Sequence, residues 1–263
     1  MTQATYEVIA IRYATRLTSR RECFLNYHLY NEPDADLVMD YYVWVVHNGD
    51  RTIVVDTGFT EEVGARRYRT MLRDPIIGLR QLGIETASLP QLVLTHAHYD
   101  HAGNVRHFGA SEVVMARREF EFWTGPYGSR AQFAHSTEAA DIAHLRSLGA
   151  ESRLGLVDGY YRLAPGIEVI ELSGHTPGQL VVKVATSGGS VVLASDAMHY
   201  YEEVERDRPF AIVTDLEGMY RSFDALRQMQ SEPGCVLVAG HDPAVMTRFP
   251  TLAGQDGLAV RLA

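Results

Sequence analysis

Residues 95–103 read THAHYDHAG, and no other stretch of the chain decides as much. His96, His98, Asp100 and His101 put three imidazoles and a carboxylate into the spacing HxHxDH. Imidazole nitrogen and carboxylate oxygen are the ligands that zinc and similar divalent ions take. Working outward, three single residues extend the set: His175 in SGHTPG, Asp196 in ASDAMH and His241 in AGHDP.

Each candidate ligand follows a short apolar run rich in β-branched residues, which reads as a strand: 91–95, 167–172, 190–194 and 235–239. Side chains at the ends of strands that share one sheet edge can converge on a common site. Further strands are expected at 6–13, 41–47, 52–55, 112–115 and 180–185. Helices are expected over 61–73, closed by Asp74 and Pro75, and over 138–148, opened by Thr137 and closed by Gly149. A third is expected over 215–230, with Thr214 as its cap and Glu217 completing a capping box. Mixed strands and helices imply an α/β chain with sheets covered by helices. No repeat, linker or block of like charge marks a boundary, so residues 1–263 read as a single domain.

With 46% hydrophobic and 22% charged residues, the chain is neither disordered nor of low complexity. Its apolar runs, such as 191–194, fall far short of the roughly 20 residues that cross a bilayer, so no membrane association is expected. Residues 1–10 show no basic, apolar and small-residue succession of a secretory leader. The two cysteines, Cys23 and Cys235, are far apart and suit a reducing compartment, so a cytoplasmic protein is expected. A net charge of −9 opposes binding to nucleic acid. Of the 24 basic residues only Lys183 is a lysine, so an anionic group on a substrate would have to meet arginine.

Over residues 43–241 these motifs resemble the metallo-β-lactamase superfamily. The resemblance implies an αββα sandwich, two mixed sheets covered by helices, with a metal site at one edge. It implies that His96, His98 and His175 hold one ion, that Asp100, His101 and His241 hold a second, and that Asp196 bridges them. Two divalent ions are expected, zinc first, with iron, manganese or cobalt as alternatives. Asp56, in VDTGF, matches the superfamily's Asp-Thr-Gly turn, where a carboxylate can orient a ligand.

Within the superfamily the chain looks most similar to the acyl-homoserine lactonase group of quorum-quenching enzymes, through MDYYVWVV leading into VDTG and SDA at the bridge. This implies a zinc-dependent hydrolase with a dinuclear site that opens a small-molecule lactone by attack of metal-bound hydroxide. An N-acyl-homoserine lactone is the first expectation, with Asp100 taking the proton. It also makes a homodimer reasonable. Two departures bear on substrate: His199 stands where related lactonases carry tyrosine, and Gln179 replaces the second histidine of GHTPGH. His199, or the adjacent Tyr200, is expected to bind the substrate ester. The aromatic run FEFWTGPYGSRAQF, 120–133, reads either as an apolar lip over the metals or as helix packing. Alternatives are another lactone, a cyclic amide, a thioester such as hydroxyacylglutathione, or a persulfide dioxygenase-like iron enzyme.

Overall fold

A computed structural model describes residues 4–263, so the first three positions of the expected 1–263 domain lie outside the described residues. The first sheet contains β1 (Glu7–Ser19), β2 (Asp36–His47), β3 (Thr52–Val55), β4 (Thr70–Met71), β5 (Gln91–Val93), β6 (Glu112–Ala116) and β7 (Leu154–Val157). The second contains β8 (Tyr160–Ala164), β9 (Ile167–Glu171), β10 (Leu180–Thr186), β11 (Gly189–Ser195) and β12 (Cys235–Ala239). A last strand, β13 (Ala259–Arg261), returns to the first sheet beside β1. The strand orders are β13-β1-β2-β3-β5-β6-β7, with β4 paired to β1, and β12-β11-β10-β9-β8.

The period of two along β2 explains the layering. Tyr42, Trp44 and Val46 enter a core with Val169, Val182 and Leu193 of the second sheet, whereas Tyr41, Val43 and Val45 enter another with Leu79, Leu145 and Leu148 of helices. Met219, Phe223 and Leu226, on the helix Leu216–Gln230, cover the far side of the second sheet. Helix, sheet, sheet and helix thus form the mixed αββα sandwich.

Strand register sets the site. β3 and β5 are parallel with Val55 opposite Val93, so Asp56 and the 95–103 run leave adjacent strand ends. β11 and β12 are also parallel, with Ser195 opposite Ala239, which brings Asp196 beside the turn to His241.

Several expected boundaries move. The helix over 61–73 ends at Arg66, because Tyr68 turns into the left-handed region at φ 58 and the chain enters β4 against β1. Asp74 opens a helix rather than closing one: its carboxylate accepts from the N–H groups of Ile76 and Ile77, with Pro75 in the first turn of Pro75–Gln81. Asp215, not Thr214, caps the 216–230 helix by accepting from Gly218 N, and the Thr214 hydroxyl donates to the Gly174 carbonyl instead. β7, β8 and β13 are further elements, half-buried or at sheet edges, where apolar alternation is weak. No helix among the described residues is long and apolar enough to cross a membrane.

Gly103 ends the one-turn helix Tyr99–Ala102, and here the missing side chain is required. A Cβ would lie 2.8 Å from Tyr99 O, 2.9 Å from Gly58 O and 2.9 Å from Phe59 Cα, all backbone atoms that cannot swing aside. Gly103→Ala is expected to destabilise the fold by about 2 kcal/mol, the usual scale of overpacking. A denaturation midpoint equal to that of the parent would contradict this packing.

Candidate metal centre

Every sequence-predicted ligand reaches one buried cluster at the strand ends. His96, His98 and His175 offer nitrogens within 4.8 Å of one another and of an Asp196 oxygen, and Asp100, His101 and His241 form a second such set. The Asp196 carboxylate divides between them. Its Oδ2 lies 3.2 Å from His175 Nε2 and 3.7 Å from His96 Nε2, whereas Oδ1 lies 3.3 Å from His101 Nε2 and 3.1 Å from His241 Nε2.

In His96, His101, His175 and His241 the opposite ring nitrogen is anchored, which leaves the facing nitrogen for the centre. His175 Nδ1 donates to Ile212 O at 2.8 Å and His241 Nδ1 to Asp40 O at 2.8 Å. His101 Nδ1 meets Asp56 Oδ2 at 2.7 Å, and His96 Nδ1 meets the Thr95 hydroxyl at 3.2 Å. In His98 it is Nδ1 that faces the others, 2.9 Å from His175 Nε2.

Asp56 occupies the orienting position expected for it. Held at φ 61, it accepts from Thr95 N and the Thr95 hydroxyl, both at 2.8 Å, as well as meeting His101. Thr57 ties the same turn to the motif, its N–H and hydroxyl both donating to His101 O.

The cluster fits divalent cations. The Nε2 atoms of His96 and His101 are buried without any hydrogen-bond partner, an uncommon condition for a polar atom in a folded protein. Burial pushes the imidazoles of His96, His98 and His175 down, toward the neutral form that binds metal. Burial opposes ionisation of Asp196 as well, but the surrounding histidines, His199 and His241 foremost, hold its carboxyl well below the usual range.

His199 and Tyr200 part company. His199 is 1% exposed and stacks on Phe210 at 3.8 Å, with Nε2 3.0 Å from Asp196 Oδ2 and Nδ1 3.3 Å from Glu203 Oε1. Tyr200 faces away, its hydroxyl donating to Val38 O at 3.2 Å and lying 3.8 Å from Cys23 Sγ, so it does not reach the cluster. Gln179 turns to its neighbour, Nε2 donating to Leu180 O. The 120–133 run packs mainly on itself through Phe122, Trp123 and Phe133, and only Trp123 touches the centre, its ring 5.5 Å from that of His98. The small cavity over the cluster, about 60 Å³, is lined instead by Met39, Tyr41, Arg69, Tyr99, Phe210 and Ile212 among others.

Sequence reasoning misses Glu119. Fully buried, it accepts from Ala97 N at 3.0 Å, Trp123 Nε1 at 2.6 Å and Gly178 N at 2.9 Å, joining the loops that carry His96, His98 and His175. Burial pushes its carboxyl up against the pull of these donors. In ARREFEFW it reads as one more charge on an exposed helix face.

The Metallo-beta-lactamase superfamily profile matches residues 38–241. An N-acyl homoserine lactonase from Bacillus sp is 26% identical over 238 residues, covering 84% of this chain and 89% of that protein. A quorum-quenching N-acyl homoserine lactone lactonase superimposes with a TM-score of 0.77 at 22% identity, over 92% of this chain and 95% of the other. An N-acyl homoserine lactone hydrolase with the product N-hexanoyl-L-homoserine at its catalytic metal centre gives 0.75 at 21% identity, over 95% and 98%.

Proposed function

This chain belongs to the metallo-beta-lactamase superfamily, and from that premise we propose that it is a dinuclear metal-dependent hydrolase that opens N-acyl-homoserine lactones. The division of the Asp196 carboxylate between two ligand sets carries the reading. His96, His98 and His175 would hold one ion and Asp100, His101 and His241 the other, with Asp196 shared. When bound, such a pair supplies a water of lowered pKa and positive charge for a developing oxyanion. Nitrogen and carboxylate ligands without thiolate suit zinc first, with iron, manganese or cobalt as alternatives.

The protein's own groups do the rest. Asp100, whose side chain is 11% exposed against 4% for Asp196, accepts the proton released on attack. His199, fixed between Asp196, Glu203 and Phe210, donates to the leaving oxygen of the ring. Asp56 keeps His101 in one orientation throughout. The reading takes the chain as one functional domain and a homodimer, and its free thiols, Cys23 and Cys235, match a cytoplasmic setting.

A second reading, hydrolysis of a glutathione thioester, draws on Arg16 and Arg69 at the cavity. Arg16 is neutralised by Glu22 at 2.6 Å, which leaves a single guanidinium for a tripeptide with two carboxylates. Proton release in weak buffer separates the readings. The metal-loaded protein is expected to release protons from acyl-homoserine lactones. Release from the thioester alone moves the substrate, and release from no lactone or thioester removes the hydrolase reading and directs the search to iron content and oxygen uptake.

A further inference from the structure

The cavity carries a second group of polar side chains that the proposed reaction leaves unused. Tyr41, on β2, is 1% exposed, and its hydroxyl lies beside the Tyr99 phenol without a well-aligned hydrogen-bond partner. Arg69 lines the same cavity. Its Nε donates to the Tyr99 hydroxyl at 3.0 Å and its Nη1 to the Arg67 carbonyl. No carboxylate among the described residues lies within the 4.0 Å of an ion pair from it, unlike Arg16.

This group is built with care by the local sequence. The left-handed turn at Tyr68, a strained conformation for an aromatic residue, swings Arg69 back, and Arg69 N donates to Gly64 O at 2.8 Å. β4 follows at once and is held by β1. The Tyr99 ring is packed by the Arg67 guanidinium at 4.1 Å and by Phe59 at 5.7 Å. Arg67 is itself tied to Glu138 at 2.8 Å. Burial pushes both phenols up, Tyr99 to about 12, so each remains a neutral O–H group at physiological pH.

A buried, unpartnered hydroxyl beside a guanidinium that no carboxylate meets within ion-pair distance favours one kind of ligand atom, an acceptor oxygen. Covering the pair with methylene groups would take water from the Tyr41 hydroxyl, which has no partner, and from the guanidinium N–H groups not used by Tyr99 and Arg67. We infer that Tyr41 and Arg69 form a subsite for the carbonyl oxygen on the exocyclic arm of the substrate. The pair would then read the acylamino arm of the substrate already proposed and disfavour a lactone with a plain alkyl arm. The inference rests on the lactonase reading and adds the chemistry of the arm.

Two measurements test it. The first compares kcat/KM for N-hexanoyl-homoserine lactone and for its all-carbon analogue, in which two methylenes replace the amide. The second measures calorimetric binding of the two corresponding ring-opened acids and needs no turnover. A preference of about tenfold or more for the amide-bearing member is expected in both, since a site built to bond an acceptor rejects the analogue that lacks it. Arg69→Met and Tyr41→Phe, with melting curves to verify folding, are each expected to shrink that ratio toward unity. Tyr41→Phe removes one oxygen only and guards against a folding defect at Arg69. Equal affinity for the two acids in the parent protein, a ratio that survives both substitutions, or no binding of the amide-bearing acid overturns the subsite. Failure to turn over any lactone overturns the lactonase reading instead, and the binding arm still decides the subsite.

Discussion

Asp196→Ala is expected to lower bound metal from two ions toward one or none per chain and to reduce turnover by more than about 100-fold. Groups that merely support a ligand are already worth about 10- to 100-fold, and Asp196 stands at a higher level. Five imidazoles converge on its two oxygens, at 3.0 to 3.7 Å. Its loss would leave Asp100 as the one carboxylate among the proposed ligands to offset the charge of two divalent ions, so their mutual repulsion in a buried site would rise. Metal content by mass spectrometry after dialysis, together with turnover, checks the expectation. The circular dichroism spectrum should stay close to that of the parent, since Asp196 is not itself a member of the apolar cores that hold the sheets. Two ions retained at full activity would remove Asp196 from the bridging position.

The candidate cluster was legible because its members share two properties readable in one dimension. Each is a residue type with little other reason to follow an apolar run, and each follows a strand whose end lies at the same edge. The parallel pairings β3 with β5 and β11 with β12 turn that sequence fact into proximity. The sandwich was legible only through the superfamily resemblance, since the strand and helix pattern alone implies no more than sheets covered by helices, and it takes the structure to show β2 buried on both faces.

What stayed hidden depends on partners distant in the chain. Glu119 looks like surface charge until Ala97, Trp123 and Gly178 surround it. Arg69 fell inside an expected helix because the run 61–73 is rich in helix formers, and only the pairing of β4 with β1 overrides that propensity. Tyr41 alternates normally along β2, and nothing local tells that its hydroxyl ends in a cavity without a partner. Adjacent positions His199 and Tyr200 were equivalent candidates in sequence. They diverge because the Tyr200 backbone N–H donates to the Glu203 carboxylate at 3.0 Å, starting a helix that turns the phenol toward Val38 and leaves the imidazole at the cluster.

His199→Gln is therefore expected to keep both ions while losing roughly 10² to 10⁴ in rate, the usual contribution of a positioned acid. Burial disfavours charge on this imidazole, but Asp196 and Glu203 overcome it and lift the pKa to about 9. An acid is active while protonated, so its contribution is present below that value and is lost as pH rises through it. A bound ion that draws on the charge of Asp196 leaves Glu203 as the main support, which moves the limb downward from about 9. The parent is expected to show a rate limb falling with alkaline pH, and the variant to lack it. The measurement also separates two roles for the residue, because His199 Nε2 lies with Asp196 and His241 in a third grouping able to hold a cation. Loss of one ion from the variant would make His199 a ligand rather than a proton donor. Unchanged turnover with an unchanged alkaline limb would leave it as packing against Phe210.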